Sequence, residues 1–228
     1  MWYKVKRIYQ WTNLVRPVWK PNANTLAYYP LTSSTTTSDM SWNSKTMTNN
    51  RNVQFWTYAG VNCWYFSWGS SWGYLSRSWS LWTGNSKYNF SCWFYKTTTW
   101  DCAFFSIGYP TGNQWNLCYV ETWKFVIGWW NNGVGTDVSC PVNSWHHLVQ
   151  NFDGTTQRLY LDWVQVASNT PSPNITNNLT CIGISVNTSS TRPMYWYLSE
   201  VIFESVNWTA EEVKDYYNWT KAKYIWYN

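Results

Sequence analysis

Apolar and polar residues alternate with a period of two along much of the chain, the pattern of strands that bury one face. The sharpest case lies between residues 145 and 168. Trp145–Phe152 (WHHLVQNF), Gln157–Leu161 and Val164–Ser168 are separated by turn signals at Asp153–Gly154 and Asp162–Trp163, and they predict an antiparallel meander. Tyr88–Lys96 predicts a long strand, and Cys102–Ile107, Trp115–Val120 and Lys124–Trp129 predict three more at short spacing. Leu26–Leu31 reads as an opening strand, Val53–Phe55 and Tyr65–Phe66 as short ones, and Leu179–Ser185 and Met194–Val206 as closing ones. Thr32–Asn52, rich in Ser, Thr and Asn, reads as a loop. One segment changes period. Thr209 and Glu212 form a capping box, and Val213, Tyr216 and Tyr217 share one face of a short helix behind it. No internal repeat is visible. The pattern predicts an all-β, two-sheet antiparallel sandwich with one short C-terminal helix.

Charge divides the 228 residues in two. Residues 1–38 hold Lys4, Lys6, Arg7, Arg16 and Lys20 and no acid, so the whole net charge of +5 sits there. This predicts a basic arm over residues 1–24 and a neutral domain over 25–228. A neutral body excludes nucleic acid as its ligand, because phosphate binding needs a dense basic surface. The arm is either a solvated tail or a contact for an acidic partner or membrane surface. Met1–Asn13 lacks the apolar core of a secretory signal, and no apolar run is long enough to span a membrane. The six cysteines contain no CxxC pair, which argues against zinc. Most fall within predicted strands, which favours buried free thiols over a disulfide framework.

Composition shows one anomaly. There are 22 Trp and only 11 Gly, where average usage gives roughly sixteen Gly. In the hairpin Leu159–Ala167 (LYLDWVQVA), Trp163 occupies the second turn position, which ordinarily belongs to Gly because it needs φ > 0. Trp42, the group Trp64, Trp68 and Trp72, and Trp56 and Trp196 also look replaceable by Gly. This suggests a gene in which UGA means glycine, translated here as tryptophan. Loop Trp residues are therefore weak evidence for a sugar platform.

Taken in order, LAYYPL (26–31), DMSWN (39–43), FSCWF (90–94), WHHLV (145–149) with FDG (152–154), the hairpin at 159–167, CIG (181–183) and MYWYLSEVIF (194–203), then the capped helix at Thr209–Tyr217, resemble the laminin-G-like branch of the concanavalin A-like lectin/glucanase superfamily. The resemblance covers about residues 25–220. It implies a two-sheet jellyroll used for recognition at surfaces, with Trp93 and Trp145 in the scaffold. Trp42, Trp163 and Trp196 stand where that pattern has Gly.

The catalytic members of that superfamily need paired carboxylates on one strand face. Glu200 and Glu204 share a face, but lie about 13 Å apart by strand rise, and Ile202 stands between them. No catalytic residue is therefore assigned, and glycoside hydrolysis is disfavoured. His146 and His147 point to opposite faces and cannot share a metal. A triad with Asp153 lacks a nucleophile elbow. Calcium is a weak possibility through Asp101 and Asp137; no other cofactor is implied. Two loops combine rings with amides, as sugar binding requires: Tyr109–Asn113, with Tyr109 and Asn113 as candidates, and Trp129–Gly133, with Trp130, Asn131 and Asn132. The expected function is binding of a glycan or a surface protein without turnover, at an extracellular, cell or virion surface of bacterial or phage origin. The alternative is a structural part of a fibre, phage tail or appendage docked by the arm.

Overall fold

In a computed structural model, residues 20–31, 38–51, 53–67, 72–129, 133–176, 178–185 and 192–225 are described. The predicted arm lies outside these apart from residues 20–24, as do Trp68, Trp130, Asn131 and Asn132.

Fifteen strands and one α-helix follow in chain order: β1 (Thr25–Tyr29), β2 (Thr48–Asn50), β3 (Gln54–Tyr58), β4 (Val61–Tyr65), β5 (Tyr74–Arg77), β6 (Tyr88–Tyr95), β7 (Cys102–Gly108), β8 (Trp115–Glu121), β9 (Lys124–Trp129), β10 (Val134–Ser139), β11 (Trp145–Phe152), β12 (Gln157–Leu161), β13 (Val164–Asn169), β14 (Thr180–Ile182), β15 (Tyr197–Glu204) and α1 (Ala210–Ile225). One antiparallel sheet runs β13-β12-β11-β6-β15-β4-β3, with β1 also paired to β15; the other runs β10-β9-β8-β7-β14-β5-β2. The expected meander is β11 to β13. Three strands were not expected: β2, β5 and β10 are polar (TNN, YLSR, VGTDVS), and backbone pairing rather than apolar alternation makes them strands.

The inner faces of the two sheets meet in an aromatic core. Phe90, Phe94, Phe104, Phe105, Phe125 and Phe203 are buried there, and Trp82 stacks on Tyr88 at 4.3 Å. Each such ring contributes roughly 1.5–3 kcal/mol by leaving water. Two recurring motifs lock this core. Asp39 accepts hydrogen bonds from the amides of Tyr28, Ser41 and Lys45, tying the DMSWN loop to the opening strand. Gly183 has φ +82° against Phe66, and any Cβ there would lie 2.2 Å from the ring.

Helix α1 covers the outer face of the larger sheet. Its cap is reciprocal, with the Thr209 amide donating to Glu212 Oε2 at 2.7 Å and the Glu212 amide to Thr209 Oγ1 at 3.2 Å. Val213, Tyr216, Thr220 and Tyr224 are buried at helical spacing. Tyr224 stacks on Trp93 at 4.1 Å, and Tyr216 packs with Tyr28, Ile202 and Trp208. The helix runs longer than its start signals require because Thr220 and Tyr224 continue this buried stripe.

Three hairpins close on two-residue turns with both φ values positive: Ala59–Gly60 (46°, 71°), Thr122–Trp123 (47°, 70°) and Asp162–Trp163 (49°, 70°). Trp stands twice where the same geometry elsewhere takes Gly. Five other suspected positions among the described residues do not share this feature. Trp42, Trp56, Trp64, Trp72 and Trp196 have no positive φ, and Trp64 and Trp196 are buried. Trp64 packs on Tyr29, and Trp196 lies under the ammonium of Lys96 at 4.1 Å. The backbone makes no demand for Gly at those five.

Candidate functional site

One end of the sandwich carries an open polar groove of about 630 Å³. Its walls come from the loop after β7, the start of β10 and the segment after β13. Asn113, Gly133, Val134, Asn169, Thr170 and Ser172 line it, and no charged side chain does among the described residues. The geometry is set locally. Gly108 has φ +97°, and a Cβ there would lie 2.1 Å from the Gln114 carbonyl oxygen. The chain can therefore turn sharply, and the Tyr109 amide donates to that carbonyl. The Asn174 amide donates to the Asn113 carbonyl at 2.9 Å, clamping two walls together. Asn169 Oδ1 is shielded from solvent and has no hydrogen-bond partner.

A buried amide layer begins one strand pair from this wall, since Asn169 pairs in register with Gln157. The side-chain amides of Gln150 and Gln157 both donate to Tyr88 Oη, at 3.0 and 2.7 Å, and to Asn116 Oδ1, at 3.1 and 3.4 Å. All four residues are fully buried. This neutral network stiffens the groove end without adding charge.

The groove gathers part of the expected site. Asn113 lines it, and Trp130, Asn131 and Asn132 immediately precede its Gly133. Tyr109 is half-exposed in the same loop but is not in the lining. Sequence reasoning missed Asn169, Thr170 and Ser172. The polar, Pro-containing run at 167–174 was the available signal.

The titratable groups belong to packing. His147 is fully buried, with Nε2 2.8 Å from Ser91 Oγ. Burial drives its pKa down to about 3, against an opposing pull from Asp162. His146 faces the other way, with Nε2 2.7 Å from Ser144 Oγ and Nδ1 2.6 Å from Asp162 Oδ2. Asp162 Oδ1 accepts the His147 amide, so this relay pins the hairpin turn to β11. Asp153, weighed as a triad member, sits elsewhere. Burial pushes its carboxyl up, but the Thr156 and Thr155 amides and Arg158 outweigh that and leave it at about 2. Glu200 is the extra residue of a β-bulge, with φ +47°, and accepts from Lys223 and Tyr216. Glu204 accepts from Trp208 Nε1, Thr25 and Asn22. These two carboxylates serve separate structural clusters.

Asp101 accepts the Thr122 amide at 2.8 Å, and Asp137 pairs with Lys124 at 3.2 Å. Among the described residues no three His, Cys, Asp or Glu side chains group to hold a metal. The six cysteines are buried free thiols. No described helix is long and apolar enough to cross a membrane.

Residues 68–214 match the family model of the concanavalin A-like lectin/glucanases superfamily. No curated protein matches the sequence. The fold is similar to domain 4 of AbnA, an extracellular arabinanase from Geobacillus stearothermophilus, solved with arabinotriose; the TM-score is 0.66 at 19% identity, over 84% of this chain and 97% of that one. It is similar to the binding domain of Paraclostridial Mosquitocidal Protein 1, with TM-score 0.68 at 14% identity over 86% and 52% of the two chains. It is also similar to botulinum neurotoxin type C, described as depending on two ganglioside molecules to enter cells, with TM-score 0.65 at 10% identity over 86% and 51%. The chain spans about half the length of these two toxin structures. At such identities the likeness establishes the fold.

Proposed function

The chain belongs to the concanavalin A-like lectin/glucanase superfamily, and on that footing we propose that it is a non-catalytic recognition module whose polar groove binds a neutral glycan. The observation that carries this reading is the groove lining, amide and hydroxyl groups with no charge. Sugar hydroxyls are neutral donors and acceptors, and Asn side chains match both roles. The arabinotriose held by the AbnA domain and the gangliosides used by the neurotoxin are precedents for glycan ligands on this fold. The site of action is then an extracellular, cell or virion surface, where such glycans stand.

The test is a glycan array followed by calorimetry. We expect a neutral oligosaccharide to bind, and Asn113→Ala with Asn169→Ala to weaken it by about tenfold, the loss of two hydrogen bonds at about 0.5–1.5 kcal/mol each. No binding to any glycan would sink the reading and turn attention to a protein ligand. The uneven charge favours a second reading, a fibre, tail or appendage component docked through its basic residues. A multimer that dissociates in high salt would support it.

A further inference from the structure

A second cavity, of about 400 Å³, lies where the chain enters β1 beneath the first turns of α1. Three carboxylates, Glu204, Glu212 and Asp215, and three rings, Trp208, Tyr216 and Trp219, form most of its wall, with no Lys or Arg among the described residues of the lining. Carboxylates beside ring faces suit an organic cation, through charge and cation–π attraction together. The N-terminal end of α1 brings roughly half a positive charge, which the exposed Glu212 and Asp215 outweigh; Glu204 is buried and already holds its own donors. Asn22 and Asn24 complete the rim. The residues that lead into this rim are the most basic of the chain: Lys4, Lys6, Arg7, Arg16 and Lys20 precede Asn22 with no acid among them.

We propose that this acidic, ring-walled cleft receives a cationic side chain of the protein's own residues 1–19, docking the basic segment on the body. The tether favours it. Arg16 is six residues from Asn22, a span of up to about 20 Å, and a short tether gives an effective concentration in the millimolar range. Docking joins the one strongly basic stretch to the cleft and leaves the neutral groove free. The proposal does not rest on the glycan reading.

Zero-length carbodiimide coupling of lysines to carboxylates, read by mass spectrometry on the full chain, tests it. The expected products join Lys4 or Lys6 to Glu212 or Asp215 within one chain. They should exceed coupling to the exposed Glu211, and should vanish in about 1 M salt, where charges are screened beyond about 3 Å. Replacing Lys4, Lys6, Arg7 and Arg16 by Gln should leave no shift in the folded state's spectrum. In a mixture of heavy- and light-isotope chains, products should stay unmixed. Even coupling across all exposed carboxylates overturns the proposal. Mixed-isotope products also overturn it, by placing the segment on a second copy and favouring assembly.

Discussion

Two concave surfaces of this jellyroll are built from opposite chemistry. The groove at the sandwich end is uncharged, walled by Asn113, Asn169 and Thr170 and backed by the Tyr88, Asn116, Gln150 and Gln157 amide network. The cleft beneath α1 is acidic and aromatic. One fold thus holds a surface suited to hydroxyls and one suited to cations. The difference arises from what covers each sheet end. Loops after β7 and β13 supply amides, whereas a capped helix brings Glu212, Asp215 and Trp219. Stability on the cleft side should depend on pH and charge, and stability on the groove side should not.

The largest expected effect is beneath helix α1, where His147 packs on Tyr216. The folded His147 stays neutral down to about pH 3 because it is buried, while the unfolded ring protonates near 6.5. The unfolded state therefore binds more protons between these values, and stability falls as pH drops from 6.5 towards 3. By pH 4 this group should account for about 3 kcal/mol of lost stability, at about 1.4 kcal/mol per pH unit. Denaturant unfolding at pH 7 and pH 4 should show a markedly smaller loss for His147→Gln. Equal losses would deny the buried neutral ring. Gln157→Leu, in the groove network, should shift stability by the same amount at both pH values.

Glu204 comes next. Its carboxylate receives Trp208, Thr25 and Asn22 while 2% exposed, so Glu204→Ala strands buried donors and should cost about 2–3 kcal/mol. Burial raises its pKa, against those same donors. Its contribution therefore falls as pH rises through the carboxylate range, opposite in sign to that of His147. Glu212→Gln, which keeps a cap acceptor, should cost under about 1 kcal/mol.

The remaining effects are gains. Trp123→Gly and Trp163→Gly should each stabilise by about 1–2 kcal/mol, since both residues hold left-handed backbone. Trp163 should gain less, because Lys214 sits 4.9 Å over its ring, worth about 0.5–1 kcal/mol. Thermal unfolding checks the order. Mass spectrometry of protein from its native host checks whether those two positions are glycine there; a mass carrying 22 Trp refutes the codon reading.

Much of the fold was legible because apolar alternation and turn residues are local signals. β6, β11 and β12 and the Thr209 cap fell where those signals lay. β2, β5 and β10 did not, since short polar strands are defined by partners distant in sequence. The expected positive φ is present at Trp163 and absent at Trp64 and Trp196, which are buried, because turn-rich composition does not report backbone angle or burial. Asn113 was legible as an amide in a Gly-rich loop. Asn169 was not, because a polar run after a strand looks the same whether it lines a groove or merely connects. The cleft was invisible for a stronger reason: Asn22 and Glu204 are 182 residues apart.

The central claim is that the neutral groove, not the acidic cleft, is the glycan site. Calorimetric titration of the best array oligosaccharide into three proteins tests it most directly: the unaltered chain, the Asn113→Ala and Asn169→Ala double variant, and the Glu212→Gln and Asp215→Asn double variant. The prediction is about tenfold weaker binding in the first variant, from two lost hydrogen bonds, and unchanged affinity in the second. Affinity kept in the groove variant, or lost in the cleft variant, would contradict the assignment.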